Sequence, residues 1–352
     1  MRKDNGVELP PGSAEWSNGV AKAKKDTITA ITTRCKQAAR APYKGRGPAK
    51  TKQHFLNEAV VSEIHRHQED LSRWKEELSS LCVQAGEAEI GVENRVDFAA
   101  APKDFTFITS CIPGPGVMIP SDPVISCECI ECGSNDSTCC PGLGVLGDPV
   151  SFPYLPDGRL KEISTAPLYE CNSKCLCGPQ CPNRVVQKGR QVPLTIFRTR
   201  DKGWGVKTNA TIYAKQFVTE YVGEIVTEEE AERRGKLYDS QGTTYLFDLD
   251  YAMDNVHVID AAKFGNISHF MNHSCSPNLG VRIAYVNCMD VSIPRVAFFA
   301  LRHIRQGEEL TFDYNPPRQQ EGAENPKSDP ADQRPPVPCR CGSSNCRRLL
   351  PL

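Results

Sequence analysis

The 352-residue chain lacks any apolar run near the roughly 18 residues of a membrane span. No apolar stretch follows Met1, Arg2, Lys3 and Asp4, as a secretory signal would require. These absences predict a soluble, intracellular protein without a membrane partner. Hydrophobic residues are also modest at 39%. That is enough for a core but below the average of a fully compact chain, so part of the sequence is expected as loop or disorder. No internal repeat is present, which excludes solenoids and arrays.

Cysteine is what the chain has in excess. Seventeen are present, and thiols in a reducing compartment seldom form disulfides, so metal is the default explanation. The net charge of −1 hides an uneven distribution, because residues 1–53 hold twelve Lys or Arg against four Asp or Glu. Rich in Lys, Ala, Thr, Gly and Pro and without apolar periodicity, this stretch reads as a disordered basic arm, either merely solvated or touching nucleic acid. Within 54–84, Ile64, His67, Leu71, Trp74, Leu78 and Leu81 share one helical stripe. It covers fewer than three heptads, which favours an amphipathic helix packed on its own domain over an intermolecular coiled coil. Residues 85–126 read as a strand and loop region packing on the domain that follows.

Residues 127–185 hold nine cysteines: Cys127, Cys129, Cys132, Cys139, Cys140, Cys171, Cys175, Cys177 and Cys181. Large apolar residues are too few there to build a core, so metal has to replace it. Nine thiols cannot all pair as disulfides, and two ordinary four-ligand zinc sites would strand one. Three zinc ions close the count if six thiolates bind one ion each and three bridge two. From Leu194 to Tyr314 short strands are punctuated by Gly, Asn and Pro, for example Val218 to Val222, Thr244 to Leu249 and Val296 to Leu301. One helix interrupts them: Thr227 with Glu230 fits a capping box, and Glu228 and Glu229 suit the helix dipole. Residues 316–338 contain seven prolines and no aromatic residue, the composition of a disordered linker. A last cluster, Cys339, Cys341 and Cys346, lies in 339–352.

Four segments after the first cluster carry the chemistry. They are Lys202-Gly203-Trp204-Gly205-Val206, the run Asn266 to Asn278 with Asn272, His273 and Cys275, the run Glu309 to Tyr314 with Phe312, and the final cysteines. Tyr169 to Ser173, Cys181 to Gly189, Glu220 to Ile225 and Tyr245 to Asp250 add further matches. In this order, over roughly residues 55–352, the chain resembles a SET-domain lysine methyltransferase of the suppressor-of-variegation class, which acts on lysine 9 of histone H3. The resemblance implies a mostly β SET fold with a pseudoknot over 186–315, a three-zinc pre-SET module over 127–185, a one-zinc post-SET module over 339–352 and an N-terminal helix. Two features depart from the class. Residues 1–53 have no aromatic cage or strand pattern that could supply a chromodomain, and His269 stands where several relatives carry Arg, which bears on the level of activity.

The resemblance also implies that Lys202, Gly203, Trp204, Tyr245, Asn272 and His273 contact S-adenosylmethionine. A glycine-flanked turn lets backbone approach a ligand, and an aromatic face suits adenosine and sulfonium. Asn272 and His273 have a plainer alternative, hydrogen bonds that only hold the knot. The last three cysteines leave a zinc one ligand short, and Cys275 is the natural fourth, which couples metal to the active site. Methyl transfer needs a neutral lysine amine, which burial and a nearby cation favour. Tyr245 and Tyr314 are candidates for aligning that amine through their hydroxyls, with Phe312 lining the lysine channel. A non-catalytic chromatin scaffold is the rival, but such a protein would be expected to have lost one of Tyr245, Asn272, His273 or Tyr314. A zinc-finger DNA-binding protein is excluded by the missing recognition helix and histidine spacing. The expected partners are the histone H3 tail, the nucleosome, DNA through the arm, and heterochromatin reader proteins, in the nucleus on chromatin.

Overall fold

The computed structural model describes residues 52–123, 126–133, 152–163, 166–241, 245–249, 257–287, 292–315 and 337–350, with side chains from Val60 onward. Residues 1–51 of the basic arm, residues 316–336 of the proline-rich stretch, Cys139 and Cys140 lie outside them. Helix α1 (Lys52–Gln84) opens the described chain. Two compact units follow from the packing, one holding the helix to Trp74 with Asn94–Ala101, the other Lys75–Glu93 with Pro102 onward.

In the first unit the Asn94 side chain accepts from the backbone N–H of Val96 and Asp97, at 3.0 and 3.1 Å, and so fixes a turn. Phe98 meets the edge of His67 with ring centroids 5.2 Å apart. Along α1 the buried positions are Leu71, Trp74, Leu78 and Cys82. Ile64 is exposed and Leu81 half-buried, so the buried stripe starts later than the apolar pattern suggests and ends on a thiol.

The second unit is built of short strands. They are β1 (Ile90–Glu93), β2 (Thr106–Phe107), β3 (Ile112–Pro113), β4 (Leu168–Tyr169), β5 (Leu194–Arg198), β6 (Trp204–Thr208), β7 (Phe217–Tyr221) and β8 (Glu224–Thr227). After helix α2 (Glu228–Gln241) come β9 (Leu246–Asp248), β10 (His257–Asp260), β11 (Phe264–Gly265), β12 (Asn272–His273), β13 (Leu279–Tyr285), β14 (Arg295–Ala300) and β15 (Glu309–Phe312). They form sheets in the orders β1-β5-β6-β15-β12, β3-β8-β10-β9, β4-β13-β14-β7 and β11-β2. Strand β14 is buried from Val296 to Ala300, which accounts for its unbroken apolar run in place of alternation.

Helix α2 starts where the sequence places it, with the Glu230 N–H donating to Thr227 Oγ1 at 3.4 Å. The Glu230 carboxylate turns away from the reciprocal half of the capping box to bind Arg233 and Arg234. Arg234 also reaches Glu224 at 2.5 Å and Asp260 at 2.8 Å, which pins the helix to β8 and β10.

The segment after the short 3-10 turn Ile267–Phe270 makes the knot. There β12 runs parallel to β15, pairing Asn272 with Thr311 and His273 with Phe312. Beyond it, Asn278 binds the same strand from its side chain, accepting from the Thr311 N–H at 2.9 Å and donating to the Glu309 carbonyl at 2.8 Å. One buried asparagine thus substitutes for a further rung of sheet. In the cysteine-rich region a buried carboxylate does similar work. Glu170 accepts from the Tyr154 hydroxyl, the backbone N–H groups of Val185, Val186 and Gln187, and the Gln187 side chain, at 2.7 to 3.2 Å.

Candidate functional site

Among the described residues two groups of thiols lie close enough to hold metal. In the first, the sulfurs of Cys127, Cys132, Cys171 and Cys177 all fall within 4.8 Å of one another. Individual separations are 4.0 Å for Cys127 to Cys132, 3.9 Å for Cys127 to Cys171 and 3.7 Å for Cys132 to Cys171. A disulfide needs about 2.05 Å, whereas sulfurs about 2.3 Å from a tetrahedral zinc stand about 3.8 Å apart. The observed spacing is that of zinc ligands. Cys181 lies a further 3.7 Å from Cys171, outside the quartet. Cys175 accepts from the backbone N–H of Asn172 at 3.2 Å and of Cys127 at 3.5 Å, and Cys129 packs half-buried against the cluster.

The second group is Cys275, Cys339, Cys341 and Cys346, with 3.8 Å between Cys275 and Cys339. Burial pushes the thiols of Cys177 and Cys339 up to about 12. At Cys341 burial acts the same way, but the hydrogen bonds of Ser343 outweigh it and hold the thiol down at about 5. Four thiolates cannot share such a pocket without a cation, and a divalent metal supplies that charge. Both donor sets therefore fit zinc.

A second constellation joins β6, β12 and β15. Gly203 has a φ of +73°, a conformation that L side chains avoid, and its carbonyl accepts from the N–H and the hydroxyl of Thr199, both at 2.8 Å. The turn presents Trp204, over whose ring the Arg198 guanidinium lies at 5.6 Å. Asn272 Nδ2 donates to the Trp204 carbonyl at 3.1 Å and to Glu309 Oε1 at 2.9 Å, while Lys202 Nζ meets Glu309 Oε2 at 2.6 Å. A Cβ on Gly205 would stand 3.0 Å from both Asn272 Nδ2 and Glu309 Oε1, so glycine leaves room for this arrangement. Both N–H groups of the Asn272 amide are thereby engaged, which orients its Oδ1.

The third constellation is aromatic. Phe312 is buried, with its ring centroid 4.7 Å from Phe298, 4.9 Å from Tyr314 and 6.2 Å from Tyr221. The Tyr314 hydroxyl donates to the Met271 carbonyl at 2.9 Å, and its N–H donates to His273 Nδ1 at 3.2 Å. Tyr245 stacks on His269 with centroids 4.4 Å apart and planes 7° from parallel, and the Tyr221 hydroxyl donates to the Tyr245 carbonyl at 2.8 Å. Burial, and then the nearby Tyr245, push the Tyr314 phenol well above its ordinary value; burial pushes Tyr245 up as well. Both hydroxyls keep their protons at physiological pH. Burial also holds His269 down at about 4, against the Ala261 carbonyl that accepts from its ring at 2.7 Å and against Asp260. His269 is a neutral platform for Tyr245.

The candidate residues thus gather as Lys202, Gly203, Trp204 and Asn272 in one corner and Tyr245, Phe312 and Tyr314 in another. His273 lies between Tyr314 and Cys275, with Nε2 3.3 Å from that sulfur. Several contributors escaped the sequence reading: Glu309, which organises Lys202 and Asn272, Tyr221, which fixes Tyr245, and Thr199, which closes the turn. Glu309 opens the run Glu309 to Tyr314 that the sequence singles out, but nothing there assigns it a role, because its partners are 107 and 37 positions away.

A knotted sheet flanked by two thiol sites is the architecture of a SET-domain protein. Family profiles agree: one described as the SET domain matches residues 203–315, and one described as the Pre-SET motif matches 83–184. Among similar proteins, histone-lysine N-methyltransferase SUV39H1 of Xenopus laevis is 48% identical over 291 residues, covering 80% of this chain and 67% of that protein. SUV39H2 of Homo sapiens is 46% identical over 287 residues with the same coverage. The solved Neurospora SET domain protein DIM-5, a histone lysine methyltransferase, is 35% identical with a TM-score of 0.58, over 67% of this chain and 98% of that one. KRYPTONITE, solved with mCHH DNA, an H3(1-15) peptide and SAH, is 32% identical with a TM-score of 0.60, over 75% of this chain and 51% of that one. The chain belongs to the SUV39 family of histone-lysine N-methyltransferases. It is a zinc-containing, S-adenosylmethionine-dependent protein-lysine methyltransferase.

Proposed function

We propose that the protein methylates lysine 9 of histone H3, to the di- or trimethylated state, in heterochromatin formation and gene silencing. The observation that carries this is the buried aromatic enclosure in which the Tyr314 ring packs against Phe312 and the Tyr245 phenol lies near enough to act on that of Tyr314. The substrate amine arrives as an ammonium with a reference pKa of about 10.4 and must lose a proton before it reacts. Transfer out of water into this enclosure disfavours the ammonium. Neither tyrosine acts as base, since burial keeps both protonated. The Tyr314 hydroxyl donates its hydrogen bond to the Met271 carbonyl, which leaves an oxygen lone pair to accept from the amine N–H and aim the nitrogen. Tyr245, held by His269 and Tyr221, supplies the second hydroxyl. Bound in the corner of Lys202, Gly203, Trp204, Asn272 and His273, S-adenosylmethionine supplies an activated methyl group for in-line displacement. Asn272 Oδ1, oriented by Glu309, is the acceptor suited to the cofactor's amine.

The nine cysteines Cys127, Cys129, Cys132, Cys139, Cys140, Cys171, Cys175, Cys177 and Cys181 hold three zinc ions, and Cys275, Cys339, Cys341 and Cys346 hold a fourth. Bridging is supported by Cys171, which shares one quartet with Cys127, Cys132 and Cys177 and stands 3.7 Å from Cys181 outside it, one neighbour more than the three a single tetrahedral site provides. In the nucleus the basic arm adds affinity for nucleosomal DNA, and reader proteins bring the enzyme to its chromatin. Methylation of histone H3 tail peptides, each with one lysine replaced by arginine, tests the assignment. Loss of product with the lysine 9 replacement alone is expected; undiminished product from that peptide would overturn it.

A further inference from the structure

The cysteine segment 337–350 has no core of its own, since none of its residues is buried. It closes on itself through Cys339 N–H to the Arg348 carbonyl at 2.8 Å and Leu350 N–H to the Val337 carbonyl at 2.8 Å. Its attachments elsewhere are few. Among the described residues most of them involve Cys275, whose sulfur lies 3.8 Å from Cys339 and accepts from the Arg347 N–H at 3.3 Å and whose carbonyl accepts from Asn345 at 3.0 Å. Arg340 reaches the Asp201 carbonyl at 3.3 Å. Among the described residues one ion pair joins the segment to the rest of the chain, from Arg347 Nη2 to Asp313 Oδ1 at 2.5 Å.

An exposed ion pair is usually worth little, but the position of this one gives it leverage. Asp313 directly precedes Tyr314, whose N–H donates to His273 Nδ1. That nitrogen is therefore unprotonated, and the ring proton of the neutral imidazole sits on Nε2, aimed at Cys275 Sγ at 3.3 Å. Arg347 Nη2, also 3.3 Å from Nε2, packs there as a second donor and finds its acceptor in Asp313. The Tyr314 backbone, the His273 ring and the Cys275 sulfur form one chain of contacts, and the Arg347 to Asp313 pair closes it from the other side.

We propose that Arg347 is a clasp: paired with Asp313, it docks the terminal cysteine segment beside the residues that lead into Tyr314, so that zinc retention at the second quartet, and through the zinc the order of the chain around Tyr314, depends on one contact. This rests on the reading of that quartet as a zinc site. The test uses the full-length, zinc-loaded protein, a chelator challenge and a metallochromic dye. Cys346→Ser first identifies the quartet's ion as the zinc it lacks; a variant retaining the wild-type zinc content would refute the site itself. Arg347→Ala and Asp313→Asn should each release that ion about tenfold faster, the loss expected for one charge-assisted hydrogen bond. Release of the remaining zinc and tryptophan emission should stay unchanged. Their kcat should fall and recover when zinc is added in excess, and Arg347→Asp combined with Asp313→Arg should slow release relative to either single change. Wild-type release rates in both single variants would overturn the clasp, whatever happens to kcat.

Discussion

The proposed function puts Phe312 where the growing methylammonium must fit, and Phe312→Tyr tests how that space sets the product. The ring is 5% exposed and enclosed by Phe298, Tyr314 and Tyr221. A phenol there brings a hydroxyl into an aromatic box. Left without a partner, a buried hydroxyl costs about 1–3 kcal/mol; satisfied by a water or by the substrate amine, it costs far less. The second outcome is the expected one, because the box also receives the amine. The new hydroxyl then occupies the volume that a second or third methyl needs, and its hydrogen bond opposes rotation of the amine between transfers.

A net hydrogen bond of about 0.5–1.5 kcal/mol corresponds to roughly 2- to 12-fold in the rate of any step that must break it. The first transfer needs no such rotation and should keep its rate within about twofold, since Tyr245 and Tyr314 are untouched. Each later transfer should slow by the full factor, and steric loss adds to it. Mass spectrometry of a histone H3 peptide, followed in time with excess cofactor, should show the unmodified enzyme proceeding to the di- or trimethylated product and Phe312→Tyr accumulating mono- or dimethyl-lysine. An unmodified enzyme that halts at one methyl, or a variant whose product ladder matches it, would refute the reasoning.

Chelation of the intact protein should abolish activity and release close to four zinc ions per chain (about four tetrahedral sites), and a metal analysis of about two or fewer would remove the bridged cluster. Deleting residues 1–53, with its twelve basic side chains, should flatten the salt dependence of nucleosome binding and leave peptide methylation unchanged; an unaltered salt slope would reduce the arm to a solvated tail. Because the folded His269 titrates at about 4 and an unfolded histidine at about 6.5, protonation favours the unfolded chain as pH falls through this window. Stability of about 3 kcal/mol is lost between those values, and His269→Phe, which keeps the stacking surface, should lose less stability than the wild type between pH about 7 and about 5.5. Equal losses in a denaturant titration would show that the ring does not titrate as its burial requires. Tyr314→Phe should lower kcat roughly 10- to 100-fold without changing the rise of activity with pH, because the phenol keeps its proton; a limb of the pH profile that vanishes in this variant would identify Tyr314 as a base.

Much of the fold was legible because the β-rich region announces itself locally. The run expected at Val296 to Leu301 is observed as β14, Arg295–Ala300, and the cap at Thr227 starts the helix it signals. The buried stripe of α1 was less legible. Hydrophobic periodicity gives no reason to choose between Leu81 and Cys82, and burial falls on the cysteine because its sulfur meets the Arg190 guanidinium at 3.3 Å. Arg190 is wholly buried yet reads as a surface residue; its charge is tolerated because Val192 and Ala88 offer carbonyls and Glu87 a carboxylate. A sequence shows a charged residue but not the backbone groups waiting for it.

The site divides along the same physical line. Cysteines are visible because a thiolate has few uses besides metal, so number and spacing carry the chemistry. Tyr245, Tyr314 and Phe312 are visible only through resemblance, since an aromatic residue in a strand is ordinarily core. Glu309, Tyr221, Asp313 and Arg347 act through residues far from them in sequence, and no spacing rule reaches that distance. Here the knot does the joining. It lays Asn272 and His273 alongside Thr311 and Phe312, so Asn272 meets Glu309 and His273 receives the Tyr314 N–H. Two adjacent residues of one short strand thereby reach the Trp204 carbonyl and the Tyr314 backbone respectively, and Cys275, two residues beyond His273, belongs to the second thiol quartet. A shift of one residue between β12 and β15 would separate all three, so the catalytic geometry is held by register: the Asn278 side chain that fastens Thr311 and Glu309 is as much a determinant of the site as the residues expected to touch its ligands.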